Sequence, residues 1–164
     1  MALNFIPYFS TTYDTLKQLP GGLGNRVFEK LGTLMVPHAA RMGFRLVSLT
    51  PTDIEVTMPD KRANRNHLSS LHAMALAHLG EFTTGLLLLY AVAPLGYRTI
   101  LRKYEIEYTA KARGLTTARA HVALPKKKSL DKSDLVVRAE LTDRRGEVVA
   151  KVAATWRIGK MPES

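Results

Sequence analysis

The chain has 164 residues, 46% of them hydrophobic, a formal net charge of +10 and no cysteine. That length suits one globular domain, which buries roughly two thirds of its unfolded surface. The missing cysteines exclude disulfides, thiolate nucleophiles and cysteine-ligated metal centres, and they fit a reducing compartment, so the cytoplasm is the expected location.

The opening stretch MALNFIPYFSTTYD lacks the basic and continuous apolar regions of a secretory signal and reads as part of the fold. Thr11 to Leu19 and Gly24 to Pro37 are expected as short amphipathic helices. The second carries Val27, Leu31, Leu34 and Met35 at helical spacing, with Pro37 as its stop. These helices make residues 1–40 an amino-terminal cap on a main domain of residues 41–164. Gly43 to Leu49 and Asp53 to Pro59 then alternate as strands, joined by turn-forming Thr50, Pro51, Thr52 and Asp53.

The stretch NHLSSLHAMALAHLGEF, Asn66 to Phe82, leads into a long helix. Leu71, Met74, Leu76, Leu79, Phe82 and Leu86 to Leu89 make it apolar nearly all round, as expected where a curved sheet meets it on several sides. Leu76 to Leu95 approaches the length of about 20 residues that spans a bilayer. It contains His78, Glu81 and Pro94, and a charge near the centre of a span costs about 2.5–3.5 kcal/mol. A buried helix is therefore expected, and no membrane span.

Four more strands are predicted: Thr99 to Thr109, Leu115 to Leu124, Asp134 to Leu141 and Val148 to Ile158. Tyr104, Ile106 and Tyr108 share one face of the first, opposite Lys103, Glu105 and Glu107. Val152, Ala154, Trp156 and Ile158 share a face of the last. No helix returns between these strands, which excludes parallel crossovers. The fold class is α+β, with one antiparallel sheet wrapped around one helix.

An ionised carboxylate inside such a helix is costly unless paired, hydrated or used, so Glu81 demands an explanation. His72 sits at the helix amino end, where Ser69 or Ser70 can cap and the free amides favour negative charge. Nine residues separate His72 from Glu81, two and a half turns and about 13 Å along the axis, on opposite sides. If the two ends cooperate, the helix of a second, antiparallel copy must bring its amino terminus beside Glu81, which implies a dimer with two composite sites. The structural alternative is a salt bridge across a dimer interface. His78 lies at a different angle from His72 with no third convergent ligand, which argues against metal. His38 and His121 stand alone.

Between Arg98 and Lys128 there are nine bases and two acids, giving +7 of the total +10. This surface should attract an anion: nucleic acid, anionic lipid or a phosphorylated small molecule. The alternative is a solvated face, with PKKK a hairpin tip. Nucleic acid is disfavoured, because Glu105 and Glu107 interleave the tyrosines and no reader motif accompanies the charge.

Asn66, then His72-Ala73 six residues on, then Glu81, on a long apolar helix after a hairpin and before further strands, resembles the hotdog-fold acyl-CoA thioesterases of the phenylacetic-acid-degradation (PaaI-like) type. The resemblance runs from Gly43 to Ile158. Ala73 and Met74 stand where that family commonly has two glycines, and Glu81 where aspartate is more frequent. A related branch carries His-Ala. The resemblance implies a hotdog fold, a coenzyme A thioester as substrate, no cofactor or metal, and a homodimer whose pairing into tetramers is open. It implies that Glu81 acts as general base on a water and that the Ala73 N–H stabilises the oxyanion. Asn66 would orient the carbonyl or the water, Thr84 would position the water, and His72 would hold the loop before the helix rather than move protons. Arg102, Arg113, Lys126, Lys127 and Lys128 would meet the phosphates of coenzyme A, or an acidic acyl carrier protein. The alternative is a non-catalytic acyl or acyl-CoA binding protein. A hydratase or dehydratase is a weaker rival, since its acid and histidine spacing is not reproduced.

Overall fold

Period-two alternation with no intervening helix leaves the later strands only antiparallel partners, and every strand pairing in the molecule is antiparallel. The computed structural model describes residues 9–25, 27, 37–125 and 130–161. The strands are β1 (Arg45–Leu49), β2 (Asp53–Met58), β3 (Tyr97–Tyr108), β4 (Thr116–His121), β5 (Asp134–Thr142) and β6 (Val148–Lys160). They form one six-stranded sheet in the order β1-β2-β4-β5-β6-β3. The helices are α1 (Phe9–Leu16), α2 (Pro37–Met42) and α3 (Ala73–Val92). The long helix α3 lies against β2 to β6. This is the hotdog arrangement, one sheet around one helix, with short helices added at the amino end.

The helix is close to the sheet because two glycines on α3 face it. A methyl group at Gly80 would sit 2.6 Å from Val152 Cγ2 and 2.7 Å from the Tyr104 hydroxyl, and one at Gly85 would sit 2.6 Å from Trp156 Cη2. The alternation foreseen for the last strand holds, with Val152, Ala154, Trp156 and Ile158 all buried. The first hairpin also holds: the Thr50 N–H donates to the Asp53 carbonyl at 2.8 Å.

Several expectations are corrected. Only one face of α3 is buried, formed by Ala75, Leu76, Leu79, Gly80, Thr83, Thr84, Leu87 and Leu88. Met74 is 67% exposed, and Leu71 precedes the helix. Pro37 opens α2, a position where its fixed φ and missing N–H are tolerated. Most of the helix expected over residues 24–37 lies outside the described residues. The first helix runs Phe9–Leu16 rather than from Thr11. The alternation of β3 breaks at a bulge between Leu101 and Lys103, which turns Tyr97, Thr99 and Leu101 inward on one side of it and Tyr104 and Ile106 inward on the other. Strand β4 ends at His121, because Val122 donates instead to the Thr52 carbonyl across the first hairpin. His121 does not stand alone: its Nδ1 lies 2.9 Å from Asp53 Oδ1.

The amino-terminal segment is tied down by polar contacts. Tyr90 near the end of α3 donates to Asp14 at 2.5 Å, and Tyr13 packs edge-on against Tyr90 with ring centroids 5.7 Å apart. Asn25 Nδ2 donates to the carbonyls of Leu46 and Val47 at 3.3 and 3.2 Å. Among the described residues one helical stretch, Ala73–Leu95, is long and apolar enough to cross a bilayer, and it forms the core of this sheet.

Candidate active site

The amino end of α3 is built by a loop whose polar side chains hold its own backbone. Asn66 Oδ1 accepts from the Leu68 N–H at 2.9 Å, the Ser70 N–H at 3.3 Å and the Ser70 hydroxyl at 3.2 Å. This Asx-type bonding turns the chain and carries Ser69 at φ 55°. The Asn66 amide Nδ2 has no partner among the described residues. Asn64, 1% exposed, pins the loop: its Nδ2 donates to the carbonyls of Met42 and Pro59, and its own carbonyl accepts from the His72 N–H at 2.8 Å.

Neither Ser69 nor Ser70 caps the helix. His72 is the N-cap, its Nδ1 accepting from the Met74 N–H at 3.0 Å. A ring nitrogen here performs the task usually given to a short oxygen side chain. The Ala73 N–H, first of the helix, donates to no group among the described residues. Ala73 and Met74 are absent from the positive-φ positions, so side chains in place of glycines cost the backbone nothing there. His72→Ala is expected to cost about 1 kcal/mol, a fall in Tm of about 2–4 °C for a chain of this size. His72→Asn, which can cap, should restore it in the same thermal melt.

Glu81 lies eight residues, about 12 Å of helix, beyond Ala73. It is half-buried, and among the described residues its carboxylate makes no ion pair or hydrogen bond. Burial pushes its pKa above the usual glutamate value, with His38 opposing. The surroundings are aromatic: the His38 and His78 rings are 4.5 Å apart, Phe44 stands 5.0 Å from His78 and 5.3 Å from Phe82. Burial, followed by His38, lowers the pKa of His78, and its Nδ1 is buried without a partner. His38 therefore does not stand alone either. His78 is three residues before Glu81, one turn back on the same helix face, and that spacing was the signal available in the sequence. The described residues contain no group of three His, Asp or Glu side chains placed to hold a metal.

Two tyrosines of β3 line the same helix. The Tyr104 hydroxyl donates to the Ala77 carbonyl at 2.6 Å, and the Tyr108 hydroxyl to the Ala73 carbonyl at 2.9 Å. Burial raises the Tyr104 pKa, with Tyr108 and then Glu81 adding to the rise. Thr84 is fully buried, and its hydroxyl donates back to the carbonyls of Gly80 and Glu81 at 3.0 Å.

Of the basic residues, Arg102 and Arg113 lie far apart within one chain. Arg102 sits at the β3 bulge, and the six residues from there to Tyr108 alone span about 20 Å. Arg113 lies beyond that far end, in the loop whose Ala112 carbonyl accepts from the Leu71 N–H at 2.9 Å. Of the others, Arg119 pairs with Glu55 at 2.9 Å and Lys103 with Glu105 at 3.0 Å. Lys126, Lys127 and Lys128 lie outside the described residues.

Known structures share this architecture. A structural-genomics crystal structure superposes with a TM-score of 0.78 at 26% identity, covering 94% of this chain and 99% of that one. A Pseudomonas aeruginosa protein of unknown function, described as a probable thioesterase, gives 0.73 at 26% identity over 87% and 97% of the two chains. A Haemophilus influenzae thioesterase gives 0.70 at 18% identity over 82% and 92%, a likeness of fold. No curated protein matches. The profile of one family, "Domain of unknown function (DUF4442)", matches residues 24–158, and the chain belongs to that family.

Proposed function

We propose that the protein is a thioester hydrolase acting on an acyl group carried by coenzyme A or by acyl carrier protein, at a site shared between two copies of the chain. One observation carries the reading: among the described residues the half-buried carboxylate of Glu81 makes no ion pair or hydrogen bond, and the first N–H of the same helix, at Ala73, donates to no group. The Pseudomonas aeruginosa protein described as a probable thioesterase, at 26% identity, supports the same chemistry.

In the reaction, the thioester carbonyl oxygen sits at the Ala73 N–H and the Asn66 amide donates to it. Glu81 of a second copy takes a proton from water as the oxygen attacks the carbonyl carbon. The negative charge that forms on the carbonyl oxygen is held by the helix-terminal amide, where the backbone dipoles favour it. The C–S bond then breaks, the thiol leaves with the proton and the carboxylic acid is released. The dimer is supported by the distance of about 12 Å between Ala73 and Glu81 in one chain. It is also supported by the long unpaired edge of β3, a strand of 12 residues. The protein belongs in the cytoplasm on this reading.

The test is thiol release from a panel of acyl-CoA and acyl carrier protein thioesters, with the mass in solution measured alongside. Turnover by a dimer is expected. A folded dimer that binds thioesters without turnover would establish the non-catalytic binding protein instead, and an active strict monomer would end the shared site.

A further inference from the structure

The cap helix α2 has only six residues, too few to hold a helix on its own, and it is fixed at both ends. At its carboxyl end the Arg41 carbonyl accepts from Lys61 Nζ and the Met42 carbonyl from Asn64 Nδ2 at 2.9 Å. Asn64 is the residue whose own carbonyl holds the His72 N–H, so α2 is tied to the loop that opens α3. At its amino end His38 is exposed while Ala39 beside it is buried, and the His38 ring centroid lies 4.5 Å from that of His78. The short helix therefore reaches α3 twice, before its first turn and one turn short of Glu81.

Around Glu81 the polar groups are few. Strand β3 presents Tyr104 and Tyr108, whose hydroxyls are both spent on carbonyls of α3, those of Ala77 and Ala73. The helix α3 presents His78, held toward its neutral form by burial and then by the charge of His38, with Phe44 and Phe82 beside it. The cap helix presents His38, and Arg41 one turn further on. Of these, His38 supplies the charge that opposes the burial of Glu81, which favours the protonated acid. An exposed imidazole suits that task. It takes up a proton at little desolvation cost, and its flat ring packs against that of a neutral histidine.

We propose that His38 is a positioning residue for Glu81: the cap helix holds its imidazolium beside His78, where the positive charge keeps the half-buried carboxylate ionised for the reaction. The inference rests on the thioester hydrolase reading, in which the ionised acid takes a proton from water. It gives the amino-terminal cap a part in the chemistry that the sheet and α3 alone do not supply. As the pH falls, His38 gains charge just where Glu81 would take up a proton, so the one change opposes the other. Lys61 and Asn64 set where α2 ends, so the placement of this charge depends on the same loop that presents the Ala73 N–H.

The experiment is NMR titration of the Glu81 side-chain carboxyl carbon and the His78 ring in the full chain, in the natural sequence and in His38→Phe. Phenylalanine keeps a ring against His78 and removes the charge, and because His38 is exposed the variant should melt as the natural protein does. Losing a positive charge raises both titrations. Losing only a covering side chain admits water, which lowers that of Glu81 and raises that of His78. Both are expected to rise and the acidic limb of kcat/KM to follow Glu81. The rate below that limb should fall about two- to fivefold, the strength of a partly exposed charge pair. His38→Lys, which restores a charge without a ring, should bring the Glu81 titration back. A Glu81 titration that stays or falls in His38→Phe, or that His38→Lys leaves raised, overturns the proposal. His38→Gln gives the same reading if the phenylalanine variant melts early. The titrations need no substrate: both rising in a protein that hydrolyses no thioester would leave the charge pair standing and remove only the hydrolase reading.

Discussion

Glu81→Gln is expected to lower kcat/KM on thioesters by about 10²- to 10⁴-fold, the range for loss of a positioned general base, and at the same time to raise Tm. The two effects come from one cause. Burial favours the protonated form of Glu81, so the carboxylate the reaction needs is held in the folded state at a cost. The sign follows from proton binding: a carboxyl whose folded pKa is raised binds more protons folded than unfolded, so stability falls as pH rises from the usual value of 4.5 through the raised one. Above that window the natural sequence carries the full penalty and glutamine does not. A structural glutamate paired to an arginine across an interface predicts the opposite, a variant with lower Tm and weaker dimerisation. Melting curves and rates on the same two proteins decide between them.

The pH profile follows from the same group. The acidic limb of kcat/KM should lie above 4.5, because the base form appears only as Glu81 deprotonates in its buried site. The charge of His38 opposes the burial that raises the Glu81 pKa. Substitution of His38 by alanine should move that limb upward in pH, since a nearby imidazolium favours the carboxylate.

The strand set, the sheet's antiparallel sense and the length of α3 were legible because each depends on local pattern: alternation, a turn, an unbroken apolar run. Strand order was not, since nothing in the β3 sequence says that it pairs with β6 and lies at the edge. Glu81 and His72 stood out from the residues themselves, as polar groups on an apolar helix, whereas Asn66 and Ala73 came from the resemblance to hotdog thioesterases. Their surroundings could not be read, because His38 reaches the Glu81 region only through a short helix whose opening proline reads equally well as a stop. The cap at His72 was hidden for a different reason: two serines stood next to it, and side-chain preference alone favours them. The DRRGE turn was visible as a turn, but the Arg144 stem lying across Gly114 was not, because that contact depends on the β3–β4 loop folding against the hairpin.

Leu79→Ala is expected to cost about 2–5 kcal/mol, the range for truncating a fully buried leucine with a cavity left behind. Met74→Ala should stay within about 0.5 kcal/mol, as for an exposed position. Leucines and methionine occur on both stripes of α3, so hydrophobicity at Leu79 and Met74 does not by itself say which of the two meets the sheet. The glycines decide it physically. Gly80 and Gly85 lie on the side where Val152, Tyr104 and Trp156 approach, and Leu79, Leu87 and Leu88 are fully buried beside them. The other stripe, His78, Glu81 and Phe82 with exposed Met74 above them, is only partly covered in the single chain. In a dimer that covers this stripe, Met74→Ala should leave the unfolding free energy of a diluted sample unchanged yet weaken association at higher concentration. Chemical denaturation at two protein concentrations separates the two leucine and methionine effects. Equal costs for Leu79 and Met74 at low concentration would mean that the sheet grips the helix on the face assigned here to the reaction.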